Sequence, residues 1–283
     1  MIATCSTLAA LLASPNPPAT ISLKGDCAAI AIKATPSKRV TVNAGGSTVR
    51  GLTITGGNIR WRGGRITAAG GAFALSKAGY GLHLNGAARV RFDGVLFTDA
   101  NRGAVIGPAS DVVIADSRFV GVGQDAIIMA QTRRVQIVRN RVAGTLGKPT
   151  TCAIGADVVR GLGKRDCLAR GGAWTDGFHA DAVQMRNGVA DALIEGNVIE
   201  GSTQGITQMD TTGDAPLERV VIRGNRVGTD GYHRITLTAC VDCLITGNTV
   251  ARAEGSTKKA IILAGQAREC GNVVQDARSE PCG

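Results

Sequence analysis

Aromatic residues are scarce: Phe, Trp and Tyr make up 3% of the chain. The interior is therefore expected to be thin and built from aliphatic side chains. Histidine is scarcer still, with only His83, His179 and His233. No stretch approaches 18 uninterrupted apolar residues, which argues against a transmembrane helix and a membrane partner. Apolar heptads are absent, which excludes a coiled coil. Glycine does not recur at every third residue, which excludes collagen. The recurrent Leu of a leucine-rich repeat is missing as well. The N-terminus has no basic n-region, and the apolar run 8–13 is too short for the core of a signal peptide. The expectation is a secreted or periplasmic protein whose signal has been removed.

The chain has 283 residues, 44% of them apolar and 19% charged, a balance that favours a packed core over disorder. Its 39 Gly are about twice average usage and point to many tight corners. Lys and Arg total 32 against 22 acidic residues, a net charge of +10. Arginine dominates, and its planar fork suits carboxylate, sulfate or phosphate. A basic surface suggests a polyanionic partner. Nucleic acid is set aside, because no binding motif is visible and aromatic stacking residues are few. An acidic polysaccharide is the preferred partner, bound by a monomer.

Eight cysteines are present, an even number. Cys240 and Cys243 form a lone CxxC, and no second pair or His pair completes a zinc site. Disulfides in an oxidising compartment are the better reading. Cys5–Cys27 is expected near the start and Cys152–Cys167 within a mid-chain loop. The pairing of Cys240, Cys243, Cys270 and Cys282 is open.

The fold is legible in an internal repeat. One series reads VVIADSRFV (112–120), VQIVRNRV (135–142), ALIEGNVI (192–199), VVIRGNRV (220–227) and CLITGNTV (243–250). Asn recurs in it at 140, 197, 225, 248 and 272. A second series runs in step, with anchors at 82, 105, 127, 183, 206, 235 and 261. The unit is 22–23 residues, and one step of 56 hides an insertion near 145–178. Short period-2 Val/Ile stretches between Gly and Asn are strands with tight corners. Asn tolerates the left-handed conformation that a corner needs, and stacked copies can form a ladder. Such units cannot bury their apolar side alone, so they stack into a solenoid.

The repeat resembles that of right-handed parallel β-helix proteins of the pectate-lyase-like superfamily, over about residues 20–275. The resemblance implies an all-β, single-domain solenoid of about nine or ten rungs. Residues 1–20 would form an N-terminal cap with a short helix, 145–178 a loop over the cleft, and 266–283 a C-terminal cap. HADAVQ (179–184) resembles the His-x-Asp-x-x-Gln strand of secreted β-helix proteins assigned to carbohydrate processing.

Aligned repeats also predict which side chains stack. Asp125, Asp181, Gln204, His233 and Lys259 fall in one column, with Gly103 before them. Arg102, Tyr232 and Lys258 fall in the next. Gln184, Thr207 and Thr236 share a third with His83, and Arg186 and Asp210 lie nearby. His83 is three rungs from this cluster and reads as an ordinary surface residue. Met129, Met185 and Met209 read as core or groove lining. Arg118 and Arg141 stack on another side as solubility charge.

The preferred function is a polysaccharide lyase. β-Elimination on a uronate needs a base, a cation to neutralise the carboxylate and an acid for the leaving oxygen. His179 or His233 is the candidate base, Arg186, Arg234 or Lys259 the cation, and Tyr232 or Lys258 the proton donor. Asp181 orients a His or, with Asp125, holds Ca²⁺, the one cofactor considered. Gln184, Asp125, Gln204, Arg234, Lys259, Tyr232, Asp210 and Arg102 are candidate substrate contacts. An inverting hydrolase built on Asp125 and Asp181 is the main alternative. A uronate epimerase and a non-catalytic adhesin remain open beside it.

Overall fold

The computed structural model describes residues 1–72, 74, 76–145, 151–154, 157–159, 164–175, 180–201, 203–208, 214–229, 233–251, 259–275 and 277–281. At 151–153, 157–159, 164–166, 173–175 and 277–278 it describes backbone only.

Each repeat contributes one strand to each of three parallel stacks. The first face runs through Ile30–Ile32, Leu52–Ile54, Tyr80–Leu84, Arg102–Ile106, Ile127–Ala130, Asp181–Arg186 and Gln204–Gln208, then the first halves of Ile235–Thr246 and Ile261–Cys270. The second face begins at Ile2–Ala3 and Thr20–Leu23 and passes through Val40–Asn43, Gly57–Arg62, Ala88–Asp93, Ala109–Ala115, Thr132–Val138, Leu193–Glu195 and Val221–Arg223. The third face runs from Thr48–Arg50 to Val273–Val274. The fold is a right-handed parallel β-helix with nine rungs on its first face among the described residues.

Like residues stack in the interior. Ile32, Ile54, Leu84, Ile106, Met129 and Met185 share one register position and are all buried. Met129 and Met185 are thus core, while Met209 lies outside the described residues. On the second face Val42, Trp61, Phe92, Ile114, Ile137, Ile194, Ile222 and Ile245 do the same. The few aromatics therefore concentrate inside adjacent rungs, where Phe97 and Phe119 stack with centroids 4.5 Å apart. An interior of aliphatic side chains alone is corrected by this cluster.

The Asn ladder forms, with a different division of labour at the corner. Gly196, Gly224, Gly247 and Gly271 take the left-handed conformation, as does Arg139, each one residue before the Asn. The Asn side chains bond between rungs instead. Asn197 Oδ1 accepts from the Asn140 backbone N–H at 2.8 Å, and Asn225, Asn248 and Asn272 repeat the bond at 2.9 Å. Each Nδ2 also donates to an Ile carbonyl of the preceding coil. Buried backbone groups are thereby satisfied at every corner.

Helix Cys5–Ala13 closes the N-terminal end, burying Leu8 and Leu12 at i,i+4. Cys5 is bonded to Cys27, as expected, with Cα atoms 5.4 Å apart. Cys240 and Cys243 are bonded to each other. Cys167 and Cys270 are disulfide-bonded too, and no cysteine is free among the described residues. The expected Cys152 partner of Cys167 has a side chain outside the described set, as does Cys282. The expected C-terminal cap starts too early at 266, because 266–270 still belong to the last rung. Antiparallel Ala277–Arg278 turns back beyond it. Within the insertion, Thr151–Ile154 pairs antiparallel with Asp157–Val159 and Ala173–Thr175, beside helix Lys164–Ala169.

Candidate functional site

The register of the first face assigns the polar columns. Ala104 pairs with Leu82 and Ile127, so Ala104, not Val105, is the inward anchor of its rung. This moves Arg102 into the column of Asp125 and puts Tyr80 before it; Gly103 leaves the column. The column runs Tyr80, Arg102, Asp125, Asp181, Gln204, with His233 and Lys259 at the same offset from their anchors. The neighbouring column joins Thr53, His83, Val105, Ile128, Gln184, Thr207, Thr236 and Ile262.

Asp181 is fully buried and held from two rungs. Its Oδ1 accepts from Thr207 Oγ1 at 2.8 Å and its Oδ2 from Gln184 Nε2 at 2.9 Å. The Asp181 backbone N–H donates to Asp125 Oδ1 at 3.1 Å. Asp125 is 1% exposed, and its Oδ2 lies 3.6 Å from Arg102 Nε. Burial raises its pKa to about 7, with help from the negative charge of Asp181; the Asp181 N–H, Arg102 and Arg186 oppose the rise.

The remaining polar groups split by depth. Gln204 is buried, and Gly205 beside it leaves no room for a Cβ against the Arg234 carbonyl. Arg234 is fully buried and donates to the Thr229 carbonyl at 2.9 Å. Arg186 and His233 are half-buried, and His233 Nδ1 lies 3.1 Å from Thr236 Oγ1. Lys259 is exposed. His179, Tyr232, Asp210 and Lys258 lie outside the described residues. Arg118 and Arg141 pair on the third face, where Arg141 meets Glu200 at 3.0 Å.

Ca²⁺ takes six to eight oxygen ligands, and three of the four carboxylate oxygens of Asp125 and Asp181 already accept bonds from donors. No group of three or more His, Cys, Asp or Glu side chains among the described residues could hold a metal.

Sequence reasoning passed over one cluster. Tyr80 and His83 meet edge-on, with centroids 5.5 Å apart. Arg102 Nη1 donates to the Tyr80 hydroxyl at 3.0 Å, and its guanidinium lies 5.5 Å from that ring. Arg50, Lys77, Tyr80 and His83 line a cleft of about 330 Å³. The signal is available in the sequence, because Tyr80 stands two residues before the anchor Leu82.

Solved structures share this architecture. An alginate lyase from Paenibacillus sp. str. FPU-7 matches with a TM-score of 0.63 and 18% identity, over 99% of this chain and 96% of that one. The Dettilon tailspike protein matches with a TM-score of 0.52 and 14% identity, over 90% of this chain and 55% of that one. PfbA, a surface adhesin of Streptococcus pneumoniae, matches with a TM-score of 0.53 and 12% identity, over 94% and 79%. No family model and no curated relative matches the sequence. The class defined here is a parallel β-helix, a fold shared with an alginate lyase, a tailspike protein and a surface adhesin.

Proposed function

We propose that this protein is a secreted or periplasmic enzyme that cleaves an acidic polysaccharide by β-elimination on its first face. The observation that carries the reading is a division by depth. Both carboxylates of the column are buried at 1% or less, while the groups at the surface beside them, His233, Arg186 and Arg102, are basic. A uronate presents a carboxylate to neutralise and a C5 proton to remove, and basic groups suit both tasks.

In this mechanism Arg186 pairs with the uronate carboxylate and stabilises the charge that spreads onto it as the C5–H bond breaks. A neutral histidine takes that proton: His233, or His179 two residues before Asp181 in sequence. The electron pair forms the C4–C5 double bond and expels the glycosidic oxygen, which takes a proton from an acid such as Tyr232. Asp181 and Asp125 position these groups without touching the sugar. A pKa near 7 would suit Asp125 as the acid of a hydrolase, yet its burial keeps it from a glycosidic oxygen. The alginate lyase with this fold supports the reading, as do the disulfides, which form in oxidising compartments.

The test is incubation with alginate and with polygalacturonate, followed by ultraviolet absorbance and product mass. The expected product carries an unsaturated uronate at its new end. His233→Ala and His179→Ala identify the base by a kcat loss of about 100-fold or more in one of them. Products that gain one water without new absorbance would overturn elimination. Binding without cleavage would leave a glycan-binding solenoid.

A further inference from the structure

We infer that the cleft formed by Arg50, Lys77, Tyr80 and His83 is a uronate-binding subsite, which seats one carboxylated sugar of a chain that continues along the first face toward Asp181. The inference rests on the reading of an acidic polysaccharide as ligand, and it adds a place and residues that the expected site did not contain.

Three observations carry it. The first is the lining. Two cations, the Tyr80 ring and the amide of Asn85 line the cleft, and no carboxylate does among the described residues. Its volume of about 330 Å³ lies within the ordinary range for a small-molecule site.

The second is that these cations are uncommitted. Elsewhere on the solenoid, arginines meet acids: Arg60 and Arg91 meet Asp93, Arg134 meets Asp111, Arg139 meets Asp116, and Arg219 meets Asp191. Arg50 and Lys77 have no ion pair among the described residues. The charge of Lys77 is also felt inside the cleft. Burial lowers the pKa of His83 first, and Lys77 lowers it further. His83 is thus a neutral hydrogen-bonding group at pH 7, which leaves the positive charge to Lys77 and Arg50.

The third is alignment. Tyr80 stands at the head of the column that continues through Arg102 and Asp125 to Asp181. Three rung steps at about 4.8 Å separate Tyr80 from Asp181, roughly 14 Å in all. A short oligosaccharide lying along the axis spans that distance. Arg102, which joins the Tyr80 hydroxyl to the edge of Asp125, ties the two ends together. The Tyr80 ring supplies an apolar face for a pyranose, and the cations meet its carboxylate.

The test uses the full chain and tetrasaccharides of alginate and of polygalacturonate, each beside its carboxyl-reduced counterpart. Titration calorimetry is expected to show at least one acidic tetrasaccharide binding ten-fold or more tightly than its neutral form. Arg50→Ala and Lys77→Ala are each expected to weaken that binding about five-fold, and Lys77→Arg to restore it. The His83 ring resonances are expected to shift on binding. Equal affinity in both alanine variants, or an unshifted His83, would overturn the subsite. Turnover separates the two readings. Unsaturated product with unchanged KM in both variants would refute the subsite and leave the lyase standing. Charge-dependent binding that both variants weaken, without any cleavage, would refute the lyase and leave the subsite standing.

Discussion

On and around the second face, Arg134, Arg139, Arg219 and Arg223 each meet a carboxylate of the preceding coil at 2.6 to 2.8 Å, whereas Arg50 and Lys77, which line the cleft beside the first-face strand Tyr80–Leu84, meet none among the described residues. Both regions use the same repeat and the same residue types. The difference is where the acids stand. On the second face an acid in one coil faces an arginine in the next, so charge is cancelled locally. On the first face the acids have been drawn inward: Asp125 and Asp181 are buried, and Arg50 and Lys77 at the cleft have no ion pair among the described residues. A net charge of +10 gives no hint of this division. Surface ion pairs contribute little to stability, so single changes to the paired arginines of the second face are expected to cost little.

The largest effect should come from neither face but from the corner that holds both in register. Asn225 accepts from Asn197 and donates to the Ile194 carbonyl and to Asn248, all while buried. Asn225→Ala is expected to lower stability by about 3 kcal/mol, because it strands several buried partners at once. Urea unfolding checks this, and an unchanged midpoint would remove the ladder from the account.

Next in size is Asp181→Asn. It replaces an acceptor that serves both Gln184 and Thr207 with a group that can accept only one of them. Cleavage of the responsive polymer is expected to fall about 100-fold, with the circular dichroism spectrum unchanged.

Asp125→Asn sharpens the comparison through pH. The folded pKa of Asp125 is about 7, well above the ordinary carboxylate value of 3.8. Across that interval the folded state holds more protons than the unfolded one, so stability contributed by this group falls as pH rises from about 4 to about 7. Asn keeps the oxygen that accepts from the Asp181 N–H and cannot ionise. The variant is therefore expected to melt higher than the parent at pH 8 and to lose that advantage at pH 4. A Tm difference independent of pH would contradict the assignment. Smallest of all is Arg134→Ala on the second face, expected to leave both Tm and activity within error.

Much of the fold was legible in the sequence because the repeat is dense. Val/Ile anchors every 22–23 residues and a recurring Asn predicted the stack, its rungs and its ladder. The role of that Asn was only half read. Its side chain is needed for the bond between coils, so the left-handed corner passes to the glycine before it. The aromatic cluster was not legible, because a repeat does not state how wide its interior is. The polar columns were read one residue out at a single rung. Ala104-Val105-Ile106 offers three apolar residues, and the sequence favours the larger Val105 as the anchor where small Ala104 points inward. A slip of one residue exchanges the faces of a strand. That slip separates Arg102 from Asp125, while His83 reads as an ordinary surface residue because it lies three rungs from the cluster.

The central claim is that the first face binds the glycan and the second does not. Hydrogen exchange with and without a saturating acidic oligosaccharide tests it most directly. The account predicts slowed exchange in the first-face strands from Tyr80–Leu84 through Gln204–Gln208, with Ala88–Asp93 and Ala109–Ala115 on the second face unchanged. Protection centred on the second face, or spread evenly around the coil, would contradict it.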